Sequence, residues 1–234
     1  MQETQKLIHE ILPVGMLQCN CHIVGDPQTR EAIIIDPGDN ADKILEVFNR
    51  HHLKVTAIAV THTHIDHVIG LRRVHEATGA PVYVHALDLD LYRMLDVQAS
   101  WLGWKPPEAV KIDQLVHEGD AIRWGRYEAQ ILHTPGHTPG SMCLYMPSDM
   151  PAVRTDEGTA KSTPRGTGQL FAGDTLFAGS IGRTDLWGGS FDGIIRSIRG
   201  KLLELPDDTI VYPGHGETTT IAKERATNPF LVGN

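Results

Sequence analysis

The stretch Thr61-His62-Thr63-His64-Ile65-Asp66-His67 follows directly after the apolar run Thr56-Ala57-Ile58-Ala59-Val60. It gathers imidazoles and a carboxylate where the apolar run predicts the end of a buried strand. Imidazole nitrogens and carboxylate oxygens suit zinc, iron and manganese. The two histidines that stand two apart can point to one side, while the acid and the last histidine turn toward a second ion. An exposed polar loop is the simpler alternative, but such a cluster has little use in packing. The stretch therefore predicts a site for two metal ions.

The length and composition fit one large domain spanning 1–234. The chain has 234 residues, of which 41% are hydrophobic, enough for a sizeable core. A net charge of -8 without a basic stripe argues against nucleic acid as a partner. No apolar run approaches the ~20 residues that span a bilayer, and residues 1–6 lack a basic region followed by an apolar stretch. The sequence thus predicts a soluble cytoplasmic protein without membrane contact, and it leaves the oligomeric state open.

The three cysteines predict reduced thiols in the core. Cys19 and Cys21 stand two apart on a predicted strand, too close to bridge comfortably, and Cys143 is the third.

Helices and strands alternate in the predicted first half of the chain. A short β-branched run is stopped by Asp36-Pro37-Gly38, and the later helix is closed by Gly79. The predicted elements are strands at 32–35, 58–60 and 82–84 and helices at 41–52 and 68–78.

The predicted second half is richer in strands. The polar stretch 147–168 interrupts two apolar runs and predicts a mobile surface insertion. The predicted elements are a β meander at 121–124, 127–132 and 141–146, strands at 169–172 and 209–212, and a helix at 191–203.

Three further ligand candidates follow apolar runs in this half. His137 lies in a turn rich in proline and glycine, Asp174 follows Leu170-Phe171-Ala172-Gly173, and His215 follows the last strand. Singly, each fits a structural role better than a catalytic one. With the first cluster they predict one metal site, because ligands from several strand ends can meet at one edge of a rigid scaffold.

These residues together resemble the motifs of the metallo-β-lactamase superfamily of αββα sandwich hydrolases. The resemblance covers nearly the whole chain from Asp36 onward, and it implies an α+β fold of four layers. It implies a first ion held by His62, His64 and His137, and a second held by Asp66, His67 and His215. Asp174 would bridge the two ions.

Within that superfamily the chain looks most similar to glyoxalase II-like (hydroxyacylglutathione hydrolase-like) enzymes. The shared motifs are Gly173-Asp174-Thr175-Leu176-Phe177, Gly182-Arg183-Thr184-Asp185, Tyr212-Pro213-Gly214-His215-Gly216 and Glu224-Arg225-Ala226-Thr227-Asn228-Pro229-Phe230. The resemblance implies hydrolysis of a small acyl thioester, with S-lactoylglutathione as the leading candidate. Arg183 stands where related enzymes carry a cation for glutathione. Asp185 stands near the position where those enzymes carry a tyrosine, and the chain stops soon after Phe230. Whether glutathione is the thiol carrier therefore stays open.

The implied chemistry uses a water held between two divalent ions. Paired ions lower the pKa of that water toward ~7, which supplies hydroxide for attack on the thioester carbonyl. Asp66 and Asp174 are the expected catalytic carboxylates: Asp66 as a ligand that can also orient the water or accept its proton, Asp174 as the bridge.

Other functions stay open on the same residues. Persulfide dioxygenases share the fold and use one iron held by two histidines and an aspartate, here His62, His137 and Asp174. The Pro-Gly-His-Gly motif at His215, and the absence of cysteine at 180 and 181, favour the hydrolase. Hydrolysis of a non-glutathione ester or lactone is a further alternative, and binding without turnover is the weakest.

Two features near these motifs have alternative interpretations. Asp36 either orients a ligand histidine or only makes a turn before Pro37-Gly38. Trp101 and Trp104, with Leu102, either line a substrate entrance or pack elsewhere. The remaining histidines, including His22 and His133, show no partner in the sequence, and the alternation around Asp88 suggests no site.

Overall fold

Two six-stranded sheets form the centre of the fold in a computed structural model that describes residues 7–148 and 167–232. The first sheet has the order β1-β2-β3-β4-β5-β6; its strands are β1 Ile8–Val14, β2 Cys19–Gly25, β3 Glu31–Ile35, β4 Lys54–Val60, β5 Val82–His85 and β6 Gln114–Val116. The second has the order β14-β13-β10-β9-β8-β7; its strands are β7 Ala121–Trp124, β8 Tyr127–His133, β9 Met142–Met146, β10 Gln169–Gly173, β13 Ile210–Pro213 and β14 Thr219–Thr220. A small hairpin joins β11 Leu176–Phe177 to β12 Ser180–Ile181.

Helices cover the outer faces of both sheets. They are α1 Ala41–Arg50, α2 Leu71–Thr78, α3 Leu89–Tyr92, α4 Leu95–Leu102, α5 Phe191–Ser197 and α6 Ile221–Thr227. Short 3₁₀ turns cover Ile65–His67 and Ala86–Asp88, and a π-helical turn, Ile198–Leu202, continues α5.

Three apolar layers explain why the chain adopts this four-layer αββα arrangement. Successive side chains of a strand point to opposite faces, and β3 is buried on both. Ile33 and Ile35 join the layer between the sheets, where Phe171 meets them from the second sheet. Ala32 and Ile34 join the layer beneath α1 and α2. A third layer lies beneath α5 and α6. The predicted α+β sandwich is therefore confirmed.

The predicted elements agree with the structure apart from their ends. Gly79 ends α2 in a left-handed conformation (φ 65°), as expected for a helix closed by glycine. The predicted helix at 191–203 is a helix followed by the π-helical turn. The predicted insertion at 147–168 lies outside the described residues except for its ends. The sequence did not predict β1, whose polar positions weaken the pattern, nor the short elements β6, β11, β12, β14, α3, α4 and α6.

The three cysteines are buried and unbridged, as predicted. In the described ranges 7–148 and 167–232, no helix combines the length and the hydropathy needed to cross a membrane.

Two histidines without a predicted partner have one in the fold. His22 Nδ1 lies 3.1 Å from His9 Nε2 between the sheets. His133 stacks on His85 with ring centroids 4.0 Å apart.

The strand order brings strand ends that are distant in sequence to one edge of the sandwich. β3, β4 and β5 run parallel, as do β10 and β13. The carboxyl ends of β4, β10 and β13, and the loop between β8 and β9, therefore meet at this edge, which carries every predicted ligand.

Candidate metal centre

The seven predicted ligand side chains converge on one cluster. Three groups of potential ligand atoms each lie within 4.8 Å of one another: His62, His64 and His137; His62, His67 and Asp174; and Asp66, His67 and His215.

The first group directs three ring nitrogens at one point. His137 Nε2 lies 2.9 Å from His64 Nδ1 and 3.2 Å from His62 Nε2. His62 and His137 are almost fully buried. Three imidazoles that face each other this closely present lone pairs to a common centre, which is the arrangement of a three-histidine metal site.

The second group lies beside the first. Asp66 Oδ2 lies 3.3 Å from His215 Nε2 and 3.8 Å from His67 Nε2. His67 is wholly buried, whereas the side chain of His215 is 27% exposed and faces the cavity. Two imidazoles and one carboxylate provide a second set of donors.

Asp174 lies between the two groups. Its Oδ2 is 3.6 Å from His137 Nε2 of the first group and 3.7 Å from His215 Nε2 of the second. Its Oδ1 is 3.5 Å from His67 Nε2. This carboxylate is thus nearly equidistant from the two groups, the position expected of a bridging ligand.

Two buried atoms of the cluster lack a hydrogen-bond partner, namely His67 Nε2 and Asp174 Oδ1. Leaving a buried polar atom unpaired costs about 1–3 kcal/mol, so unpaired atoms of this kind are rare in native proteins unless a ligand compensates. A cation between these atoms would satisfy both. The residues present therefore fit a binuclear metal site.

The pKa shifts of His62 and Asp174 suit cation binding, whereas nearby acidic groups outweigh burial at His67 and raise its pKa, so an ion would bind there by displacing a proton. Burial lowers the pKa of His62 well below its usual value, and the imidazoles of His67 and His137 lower it further. Burial raises the pKa of Asp174, but the same two imidazoles outweigh it and hold that pKa well below the usual range. Neutral imidazole and ionised carboxylate are the forms that coordinate a metal.

Side chains fix the ring orientation of two ligand histidines. Asp36 accepts hydrogen bonds from the Thr61 amide and hydroxyl, both at 2.7 Å, and its Oδ2 lies 3.1 Å from His67 Nδ1. Thr61 Oγ1 in turn lies 3.2 Å from His62 Nδ1. Both rings therefore keep Nε2 free for a metal. Asp36 adopts a left-handed conformation (φ 51°), so it is both a turn residue and an orienting group.

Backbone carbonyls fix two more rings. The Arg183 carbonyl lies 2.7 Å from His137 Nδ1, and the Leu17 carbonyl lies 2.9 Å from His215 Nδ1. Each Nδ1–H can donate to its carbonyl, which again leaves Nε2 directed at the cluster.

Asp88 is a supporting residue that the sequence did not reveal. Its Oδ2 accepts from the Thr63 amide at 2.8 Å, and its Oδ1 accepts from the Gly140 amide at 2.6 Å. Asp88 therefore joins the loop of the first histidines to the loop of His137. Its sequence surroundings alternate leucine with aspartate and give no sign of burial.

Gln98 is a second such residue. Its Oε1 accepts from the Ile65 amide at 2.9 Å, and its Nε2 donates to the carbonyls of Thr63 and Leu91. The buried amide thereby attaches α4 to the loop that carries His64 and Asp66.

Gly214 leaves the room that the cluster needs. A Cβ at this position would clash with Asp174 Oδ1 and would lie 2.9 Å from His67 Cε1. The position before His215 therefore requires glycine for steric reasons.

A cavity of ≈ 470 Å³ opens over the cluster. Trp101 and Leu102 line it, whereas Trp104 packs against the core beneath the first sheet, which separates the two interpretations of these residues. Arg183 also lines the cavity, and its guanidinium binds Asp185 through two hydrogen bonds of 2.8 Å.

Comparison with known families gives a match over most of the chain. The family described as the Metallo-beta-lactamase superfamily matches residues 14–150 and 162–215. A curated relative, hydroxyacylglutathione hydrolase GloC of Haemophilus influenzae, is 34% identical over 95% of this chain and 97% of its own length.

Solved structures agree in fold. The B3 metallo-beta-lactamase BLEG-1 has a TM-score of 0.82 at 34% identity and covers 97% of this chain and 100% of its own. TTHA1623 in a di-iron-bound form has a TM-score of 0.78 at 38% identity, covering 95% and 100%. ETHE1 from Myxococcus xanthus has a TM-score of 0.73 at 28% identity, covering 95% and 83%.

Proposed function

The chain belongs to the metallo-β-lactamase superfamily, and from that premise we propose that it is a metal-dependent hydrolase of small acyl thioesters, with S-lactoylglutathione as the candidate substrate. We assign two divalent ions, of zinc, iron or manganese, to the cluster. His62, His64 and His137 would hold one ion, and Asp66, His67 and His215 the other. Asp174 would bridge them.

The position of Asp174 carries this proposal. Its Oδ2 lies 3.6 Å from a ring nitrogen of one group and 3.7 Å from a ring nitrogen of the other. A mononuclear site needs no such symmetric carboxylate, and the donor set beyond it is complete on both sides. The di-iron-bound relative supports a pair of ions.

When bound, two such ions supply hydroxide at neutral pH and polarise a carbonyl oxygen. The residues of the chain provide the geometry for that chemistry. Asp66 lines the cavity with its carboxylate 3.3 Å from His215 Nε2, where it can orient a water or accept its proton. Burial raises the pKa of Asp66, but His67 and His215 outweigh it and keep the carboxylate ionised.

A thioester matches this site because its leaving group is an easily ionised sulfur. The similarity to hydroxyacylglutathione hydrolase GloC supports the same class of substrate.

Oxidation of a persulfide is the second candidate. The sequence resemblance to persulfide dioxygenases favours it, and the two histidines and one aspartate that a single iron would need are present as His62, His137 and Asp174, with His137 Nε2 3.6 Å from Asp174 Oδ2. The second set of donors around His215 weighs for the hydrolase.

The decisive experiment is anaerobic hydrolysis of S-lactoylglutathione by the metal-reconstituted protein, followed as loss of thioester absorbance. We expect turnover that Asp174→Ala abolishes, together with about two ions per chain by metal analysis. Asp90→Ala is the control, because Asp90 is exposed, pairs with Arg93 and does not line the cavity.

One ion per chain, no thioester turnover and oxygen consumption with a glutathione persulfide would refute the hydrolase and support the dioxygenase. Turnover of esters or lactones but not thioesters would keep the hydrolase and change its substrate class.

A further inference from the structure

The cavity over the metal centre has an apolar rim, formed by Leu17, Trp101, Leu102 and Leu186. Leu17 is 48% exposed, Trp101 59% and Leu102 45%. Large apolar side chains that stay exposed around one concave site mark a place where an apolar group binds. Trp104 gives the contrast, since it packs against the core.

Two parts of the rim are attached directly to ligand histidines. The carbonyl of Leu17 itself receives the hydrogen bond from His215 Nδ1. The carbonyl of Arg183, three residues before Leu186, receives the bond from His137 Nδ1. The rim on these sides therefore keeps a fixed position relative to the reacting centre.

The third part of the rim is α4. Residues three and four apart share one face of a helix, so Gln98, Trp101 and Leu102 lie on the same side. Gln98 is buried and bonded to the Ile65 amide, next to His64 and Asp66. Its hydrogen bonds hold the next turn, with both apolar side chains, over the cavity.

The charge of the rim also favours an apolar substrate. Among the described residues that line the cavity, Arg183 is the only lysine or arginine. Its guanidinium is already bound to the carboxylate of Asp185 through both oxygens. This exposed pair offsets the charge of Arg183 and occupies two of its five donors. An anionic thiol carrier such as glutathione must therefore compete with Asp185 for this cation, which reduces what the carrier can contribute to binding.

We propose that the rim selects thioesters with an extended apolar acyl group, and that an anionic thiol carrier adds little to their affinity. Trp101, Leu102, Leu17 and Leu186 are its specificity-determining residues. This inference rests on the proposed thioester hydrolysis and, within that class, ranks S-lactoylglutathione, with its short polar acyl group and anionic carrier, below thioesters of longer apolar acyl groups.

The test separates binding from turnover. Calorimetry on the metal-loaded protein measures the affinity for S-methyl, S-butyl and S-hexyl thioethers of N-acetylcysteamine, which cannot be hydrolysed. A parallel assay measures kcat/KM for the acetyl, butyryl and hexanoyl thioesters of the same thiol. We expect both to rise roughly twofold per methylene, about half the effect of full burial, because the rim is half open.

Variants of the rim should reduce this dependence on chain length. Trp101→Ala should lower kcat/KM for the hexanoyl thioester about tenfold and for the acetyl thioester less than twofold. Leu102→Ala should give a smaller change of the same kind. Trp187→Ala is the matched control, because Trp187 is 42% exposed and does not line the cavity.

The carrier is tested with S-hexylglutathione. We expect its affinity to lie within about twofold of the N-acetylcysteamine analogue, and Asp185→Ala, which releases Arg183, to raise it. A gain of tenfold or more from glutathione in the unchanged protein would overturn the charge argument.

Binding that is absent or independent of chain length would overturn the inference, as would a dependence that persists in both Trp101→Ala and Leu102→Ala. Binding that rises with chain length without turnover of any thioester would instead refute the proposed function and keep the apolar site.

Discussion

Replacing Asp88 by asparagine removes one of the two acceptors that join the ligand loops. In the protein, the Asp88 carboxylate accepts from the Thr63 amide at 2.8 Å and from the Gly140 amide at 2.6 Å. Asparagine has the same shape but keeps only one side-chain oxygen. Its NH₂ group would then face the second backbone N–H, donor against donor.

The expected loss of stability follows from that unpaired donor. A buried N–H without an acceptor costs about 1–3 kcal/mol. Burial raises the pKa of Asp88, although the hydrogen bonds from Thr138, Thr63 and Gly140 lower it. Replacing the buried charge by a neutral amide therefore offsets part of this loss of stability. A net loss of about 1.5 kcal/mol should lower Tm by roughly 3–6 °C. Because the ligand loops lose their common tie, metal affinity should fall about tenfold, as for other groups that orient ligands.

Thermal unfolding and competition with a chromogenic chelator measure the two quantities. Asp90→Asn is the control, two residues along the chain, where the side chain is 71% exposed and bonded to Arg93. If Asp88→Asn matched both the unchanged protein and this control in Tm and in metal affinity, the role assigned to Asp88 would be wrong.

Three further predictions concern the metal, the glycine beside it and a distant ion pair. Chelation should abolish turnover and lower Tm by at least roughly 8–16 °C, because each of the two ions, at ~1,000 times its Kd, adds about 4 kcal/mol; an unchanged Tm in calorimetry would refute a resident metal. Gly214→Ala should lose at least one ion per chain by metal analysis through its clash with Asp174, whereas Gly200→Ala, in open space, should lose none. Burial raises the pKa of Asp26, but hydrogen bonds from Arg126 outweigh it and hold that pKa at about 2. Because this pKa is lowered, the pair stabilises the fold fully above about pH 4, and its contribution disappears as the pH falls toward 2. The difference in unfolding midpoint between Arg126→Gln and the unchanged protein should therefore be constant above about pH 4 and decrease between pH 4 and pH 2.

The strands that the sequence predicted well are those whose pattern is local. Ala32 to Ile35 is apolar without interruption because both faces of β3 are buried, and that run is visible in any window of a few residues. β1 escaped prediction because its burial alternates irregularly along Ile8–Val14.

The candidate ligands were predictable for a similar reason. Each of the seven is in, or next to, a short motif at the end of an apolar run, so residue type and local spacing were enough to select it. The structure then brought all of them to one cluster, with Asp174 between two groups.

The supporting contacts were beyond the sequence because their partners are far apart along the chain. Thr63 and Asp88 are separated by 25 residues, His137 and Arg183 by 46, and His215 and Leu17 by 198. Two of these contacts use backbone carbonyls, which every residue has and no residue type reveals.

The sequence by itself determined the alternation of apolar runs and the chemistry of the metal donors, because both depend on residue type and short-range spacing. Only the tertiary structure decided which ring nitrogen of His67 or His215 faces the cluster, that Asp88 and Gln98 support it, and that Leu17 and Trp101 line one cavity over it. These properties depend on distances between segments that are far apart along the chain, and no local pattern encodes them.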